Sequence, residues 1–246
     1  MSQTKKVSIV TTTFNSAENL RRIMKEIAAQ DYKNIEYIIV DGGSKDDTLD
    51  VIMEAKQHFG DRLVWISEKD KGIYDAINKG LKLCTGDYIG TCFDQFAGND
   101  VISKMVAIME KEGTDGVHGD LNYMDGEKIV REWRQGQGNI RSGWMPGHPT
   151  LYLKKEVYEK YGLYKTDYRI SADYEFMIRI LKDNQVKLSY IPEVLIKMAH
   201  GGTSTNSLGA YLEGMKEGHR ALKENGVKFA FVTDMLRVLR VLRQFV

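Results

Sequence analysis

The sequence predicts an α/β fold, a mostly parallel sheet flanked by helices, with a helical extension at the C-terminus. Short β-branched runs bounded by polar residues recur through the N-terminal half, amphipathic stretches separate them, and the unusual residues cluster directly after those runs. Val7-Ser8-Ile9-Val10 reads as the first buried strand. Ser16 reads as the N-cap of a helix continuing to Ala29. Tyr37-Ile38-Ile39-Val40 is the second strand, ended by the turn residues Asp41-Gly42-Gly43-Ser44, and a helix follows from about Asp47 to His58. Leu63 to Ile66 forms a third strand, Gly72 to Leu83 a third helix and Tyr88 to Phe93 a fourth strand. Strict strand–helix alternation implies parallel strands, and such sheets bind ligands in the loops at the strands' carboxyl ends. Beyond the fourth strand, aromatics, glycines and short strands are expected, then a polar loop at Gly201-Gly202-Thr203-Ser204-Thr205 and helix from about Ser207 to the end.

Composition narrows the class. The 246 residues suit one α/β domain with extensions, and 42% hydrophobic with 28% charged residues suits a globular enzyme rather than a disordered chain. A formal net charge of +1 gives no global attraction to nucleic acid. Cys84 and Cys92 form no CxxC pair and read as buried thiols in a reducing compartment. No apolar segment follows MSQTKK as a signal peptide requires, and none approaches the roughly 18 residues of a membrane span. Three nucleotide or nucleophile signatures are missing: GxGxxG after the first strand, GxxxxGK[ST], and the GxSxG elbow. Dinucleotide oxidoreductases, P-loop enzymes and serine α/β-hydrolases are therefore disfavoured.

The segments VSIVTTTFN, IIVDGGSKDDT and SEKDKGIYDAINKG, in that order and spacing, resemble the inverting family 2 glycosyltransferases of GT-A fold. GHPTLYLKKEVYEKYGLY and ISADYEFMIRIL are similar to the acceptor half of the same family, so the resemblance runs over roughly residues 5–205. It implies a transferase domain over 1–206, with a donor-binding half (1–98) and an acceptor-binding half (99–206), followed by the helical extension 207–246. The implied partners are a nucleotide-sugar donor, a UDP-sugar first of all, and a saccharide or lipid-linked saccharide acceptor. The implied setting is bacterial-type cell-surface polysaccharide synthesis, in the cytoplasm or at the inner face of its membrane.

Roles carry over by position. Thr12, Phe14 and Asp41 fall where the family holds the uridine. An aromatic ring packs on a base, and a carboxylate accepts from a ring N–H or ribose hydroxyl. The alternative for Asp41 is that it merely caps its own Asp-Gly-Gly turn. Lys71 is placed to meet a phosphate, beside Gly72 where the backbone needs room, with Asn78 and Lys79 one turn further on. The family carries an acidic cluster for Mg²⁺ or Mn²⁺ at the end of the fourth strand; here Asp94 is its sole acid, in a segment shorter than the family's. Asp100 reads as a helix N-cap. Asp173 matches the family's catalytic base, near the positive end of the helix suggested by Phe176, Met177, Ile180 and Leu181; Glu175 is the alternative. His148 matches a loop bordering the acceptor pocket and His200 one that folds over the diphosphate. Trp133 and Trp144 suit either a sugar face or the core.

The tail MLRVLRVLRQFV, residues 235–246, is a basic amphipathic helix fit for an anionic membrane surface, the main domain or a second copy in a homodimer. Two other functions remain open at this point. One is a catalytically silent nucleotide-binding relative, suggested by the reduced acidic cluster. The other is a sugar nucleotidyltransferase, for which TTTFN lacks the usual glycine-rich basic loop.

Overall fold

A run of valine and isoleucine buries both faces of β1 (Val7–Thr13), and the neighbouring elements follow from that. In this computed structural model residues 4–199, 208–242 and 244 are described; His200, the loop through Thr205 and, in the tail, Arg243 and the last two residues lie outside them. Helix α1 (Ala17–Ala28), β2 (Ile35–Asp41), α2 (Thr48–Phe59), β3 (Leu63–Ser67), α3 (Ile73–Leu83) and β4 (Tyr88–Thr91) complete the N-terminal half. β1 to β4 are parallel, with Val7 opposite both Ile35 and Tyr88 and Tyr37 opposite Leu63. Alternation sends Val10, Ile38 and Val40 to one face, with α3 residues such as Ile77 and Leu81. It sends Ile9, Tyr37 and Ile39 to the other, with Ile23 of α1 and Ile52 of α2.

The second half turns the sheet mixed. It comprises β5 (Gln95–Phe96), α4 (Val101–Glu112), β6 (Gly116–Asp125), β7 (Lys128–Trp133), β8 (Tyr152–Lys154), α5 (Lys155–Tyr161), α6 (Ala172–Leu181) and β9 (Leu188–Ala199). The sheet order is β3-β2-β1-β4-β8-β6-β9-β5, with β7 hairpinned onto β6. β8 runs antiparallel to both β4 and β6, whereas β6 and β9 are parallel. Contrary to the expectation of short strands here, β6 and β9 are 10 and 12 residues long. β4 stops at Thr91, two residues before the expected end. Ser16 and Asp100 stand at the N-cap positions of α1 and α4 without a side-chain capping bond. Asp100 instead pairs with Lys104 one turn on, at 3.0 Å.

Helices α7 (Leu208–Glu224) and α8 (Ala230–Leu242) follow, as the sequence suggested. α7 packs on α6, and α8 on α7 and the turn at Ile140–Ser142. Two glycines permit this. A Cβ on Gly143 would stand 2.4 Å from the Arg237 backbone nitrogen, and one on Gly218 would stand 2.7 Å from the Arg237 guanidinium. That guanidinium lies 4.4 Å from the centre of the Tyr174 ring.

α6 is fixed by a buried carboxylate. Glu175 has no exposed surface, and it accepts from Arg179 at 2.9 Å and from Asn225 at 3.1 Å, with the Lys165 ammonium at 3.0 Å. Burial alone would raise its pKa, but the bonds from Arg179, Asn225 and Lys165 outweigh it and hold the carboxyl below its ordinary range. A depressed folded-state pKa means that this stabilisation is complete above the unfolded value and disappears as pH falls through the folded one. Glu175→Gln is therefore expected to cost on the order of 3 kcal/mol at pH 7. Urea unfolding of both proteins should show that gap narrowing below about pH 4.

Candidate active site

Two loops are zipped together at the carboxyl ends of β1 and β2. Gly42 N donates to Thr13 O at 2.9 Å, Asn15 N to Ser44 Oγ at 2.7 Å, and Lys45 N to Asn15 Oδ1 at 2.8 Å. Asn15 has φ +46°, a left-handed conformation that asparagine tolerates. The zipper leaves Thr12 half-buried and Phe14 60% exposed at the mouth.

Asp41 is wholly buried beneath them. Its carboxylate accepts from Gly43 N at 3.1 Å, Ser44 N at 3.0 Å and Ser67 Oγ at 2.6 Å, and also from Ser44 Oγ. Four donors fill the capacity of a carboxylate, so in this conformation Asp41 shapes the loop. The acid nearest the mouth is Asp70, which sequence reasoning did not single out. A Cβ on Gly42 would fall 2.5 Å from Asp70 Oδ2 and 3.2 Å from the Phe14 ring, so all three crowd one spot. Asp70 Oδ1 also accepts from Gly72 N at 2.9 Å, and Gly72 has φ +114°, a conformation that requires glycine.

Lys71 is exposed, and its backbone nitrogen is tied to Asp75 at 3.0 Å. Among the described residues its ammonium has no carboxylate within 4.0 Å. Lys79 does have such partners: Glu68 at 2.8 Å and Asp75 at 3.6 Å. Asn78 is buried and exchanges two hydrogen bonds with the Tyr164 backbone, at 2.8 and 3.0 Å, which locks α3 to the segment between α5 and α6.

Asp94 follows β4 and is half-buried; burial raises its pKa, while the Ala199 N–H and the Arg22 charge act against that. The one described hydrogen bond of its carboxylate is accepted from Ala199 N, at 3.3 Å. Among the described residues, no three His, Cys, Asp or Glu side chains gather as a metal cluster.

Asp173 lies in the first turn of α6 and is half-buried. Its Oδ1 is 3.0 Å from the Tyr74 hydroxyl of α3, which also lies 2.5 Å from Ile170 O. Burial, then the Asp173 charge, push the Tyr74 pKa well up, so the phenol keeps its proton. The loop before Asp173 hangs on Glu217 of α7, which accepts from the backbone nitrogens of Arg169, Ile170 and Ser171 at 2.7, 2.9 and 2.8 Å. Tyr74 belongs to a segment whose resemblance was already visible. Glu217 stands 46 residues from Ser171 with no local signature, so only the fold reveals it.

His148 Nε2 bonds the Tyr164 hydroxyl at 2.8 Å. Burial lowers its pKa, and the Asp173 charge works in the opposite direction. Glu175, the alternative base, is closed inside its own ion pairs. A cavity of about 600 Å³ opens at Asp173, lined also by Trp133, Trp144, Tyr174, Met215 and Arg237. Trp144 lines this cavity and is also buried, with Nε1 bonded to Gln135 O at 2.9 Å. The Tyr123 phenol pKa is raised by burial; Arg131 opposes this, and the charges of Asp94 and Asp173 both add to it.

Residues 8–178 match the profile of Glycosyl transferase family 2. The chain belongs to that family. It is a glycosyltransferase of GT-A fold, which sets aside the nucleotidyltransferase alternative. The transferase is 29% identical over 210 residues to a "PGL/p-HBAD biosynthesis glycosyltransferase" of Mycobacterium bovis (strain BCG / Pasteur 1173P2), covering 82% of this chain and 79% of that one. An uncharacterized glycosyltransferase of Rickettsia typhi is 26% identical over 222 residues, covering 84% and 68%. Among solved structures, S. aureus TarS 1-349 superposes with a TM-score of 0.72 at 13% identity, over 96% of this chain and 71% of that one. A longer TarS chain is spanned to 43% of its length. The Pyrobaculum calidifontis mannosyltransferase PcManGT, in complex with GDP-Man and Mn²⁺, gives 0.71 at 14% identity, over 97% and 72%.

The three N–H groups on Glu217 have a direct consequence. Glu217→Ala strands them in a partly buried loop and is expected to cost roughly 2 kcal/mol, whereas Glu217→Gln keeps an acceptor and should cost less. Thermal unfolding of the two variants checks the order, and an Ala variant as stable as the parent would contradict it.

Proposed function

We propose that this transferase catalyses an inverting transfer from a UDP-sugar to an acceptor hydroxyl, with Asp173 as the base. The observation that carries this reading is a carboxylate in the first turn of α6, opening into the 600 Å³ cavity and hydrogen-bonded to the helix that begins at the Asp70–Gly72 loop. Support for the donor class comes from fold neighbours: TarS has been solved with UDP and with UDP-GlcNAc, and PcManGT with GDP-Man.

Phe14 stacks on the base, Thr12 and Asp70 border it, and Asp41 holds the loop beneath. Lys71 meets the diphosphate as a point charge. Asp94 would hold Mg²⁺ or Mn²⁺: it is an oxygen ligand with one long hydrogen bond and lone pairs to spare, and diphosphate and water would complete the shell. A bound divalent ion offsets negative charge on the leaving nucleoside diphosphate.

In the transfer, the acceptor oxygen attacks the anomeric carbon from the side opposite the diphosphate. The bond from that carbon to the phosphate oxygen breaks, and the acceptor's proton passes to Asp173. Tyr74 fits this step. Its single proton faces two acceptors, Ile170 O and ionised Asp173. Once Asp173 is protonated it donates to the phenol oxygen while the phenol donates to Ile170, so every oxygen is satisfied. His148, held by Tyr164, borders the acceptor.

Residues 1–206 would form the transferase unit and 207–246 the closing wall of the acceptor cavity. A cavity flanked by two tryptophans and by helix-borne arginines favours a lipid-linked saccharide acceptor, in cell-surface polysaccharide synthesis at the inner face of the membrane. No helix among the described residues is long and apolar enough to cross a membrane.

Calorimetric titration with UDP, with and without Mn²⁺, tests the donor site. Mn²⁺ should tighten UDP binding to the parent, and Asp94→Asn should lose about tenfold of that gain. UDP binding that ignores Mn²⁺ would remove Asp94 from the metal role. In a UDP-sugar screen read by UDP release, Asp173→Asn is expected to lose about 10³ in kcat while still binding UDP. Tyr74→Phe should lower kcat about tenfold with the donor KM unchanged.

A further inference from the structure

α8 exposes an apolar face that a helix packed on a soluble domain would bury. Its inward face mixes Ala230, Val238 and Val241 with the buried Thr233 and Asp234 and with Arg237. Asp234 bonds His219 at 2.7 Å and pairs with Arg237 at 3.4 Å. Its outward face carries Phe231, Val232, Met235, Leu236 and Leu239, all exposed, with Phe231 at 68%. At the corner before the helix Phe229 is 81% exposed, with φ +57°. A bulky side chain in that left-handed region is rare and strained. The Phe229 carbonyl accepts from Val232 N at 2.9 Å and Thr233 N at 3.1 Å, so the strained turn starts the helix and presents the ring to solvent. A contiguous exposed apolar face of this kind marks a docking surface.

From this we infer that the outer face of α8, led by Phe229 and Phe231, docks the protein on an anionic lipid surface and turns the acceptor cavity toward it. Charge selects the occupant. The only acid of α8 is the buried Asp234, while exposed cations border the apolar residues: Lys228 at the corner, and Arg240 on the helix, whose guanidinium donates to Ser142 O at 2.9 Å but meets no carboxylate among the described residues. A two-fold contact with a second copy would set Arg240 and Lys228 against their own kind, whereas anionic headgroups complement them. Size points the same way. Thirteen residues form a rod about 20 Å long and 10 Å wide, and half its lateral surface, about 300 Å², falls short of the roughly 800 Å² per partner of a stable dimer. The same helix lines the Asp173 cavity with Val238 and Val241, so a docked α8 would hold the opening beside the lipid. This inference rests on the reading that the acceptor is lipid-linked.

The test is flotation of the full chain with phosphatidylcholine vesicles, with or without phosphatidylglycerol. It compares the parent with Phe229→Asn/Phe231→Ser/Met235→Ser/Leu239→Ser, in which Asn accepts the left-handed turn and no changed residue lines the cavity. The parent should float with the anionic vesicles only, and the variant's bound fraction should fall about tenfold or more. UDP titration of both reports on the donor site separately: equal UDP binding with lost flotation supports the docking face. Flotation without UDP binding strikes the donor reading and leaves the docking face standing. Equal flotation of parent and variant overturns the inference. So does sedimentation velocity showing a dimeric parent and a monomeric variant without vesicles, because a second copy would then cover the face.

Discussion

Backbone N–H groups buried at the ends of secondary structure must find acceptors, and this protein meets that constraint at two loops of the proposed site with a buried carboxylate. Asp41 gathers two backbone donors and two hydroxyls beneath the loop that follows β2. Glu217 gathers three backbone donors beneath the loop that precedes Asp173. Neither needs to touch substrate to matter. Each converts a flexible turn into a fixed platform, and the side chains that face the cleft inherit their positions from it. Preorganisation of this kind is what a displacement reaction asks of its protein, since the reacting groups must be aligned before the bond breaks.

The two platforms are joined through α3. Its N-terminal loop carries Asp70 and Lys71, its first turn carries Tyr74 against Asp173, and Asn78 bonds the backbone at Tyr164. Tyr164 in turn holds His148. One short helix therefore bears on the Asp70 loop, on Asp173 and, through Tyr164, on His148, and a displacement of α3 would be felt at all three.

The N-terminal half was readable because its signals are local. β-branched runs, turn residues and amphipathic spacing located β1 to β4 and α1 to α3 within a few residues, and the quoted segments pointed to the fold. The second half was less readable. β6 and β9 are long, but bulges at Gly119 to Leu121 and hairpin pairing interrupt the simple alternation that betrays a strand. The direction of β8 depends on tertiary pairing alone. Within the site, the position of Asp173 at a helix start was legible from its apolar period, and the closure of Glu175 by Lys165, Arg179 and Asn225 was not, because two of those partners come from other elements. Asp41 shows a different limit. The sequence offered nucleotide contact and turn capping as alternatives, and only the count of donors around the carboxylate reveals how fully the turn already occupies it.

Gly143 carries a consequence for exchange among relatives. Its α-carbon lies so close to the backbone of α8 that any side chain there would push the helix off its seat. A C-terminal segment transplanted from another member of the family would seat on this body only if that segment approached a glycine in its own parent. Chimeras meant to swap acceptor preference should therefore carry the turn at 140–143 together with the tail, as one inherited module.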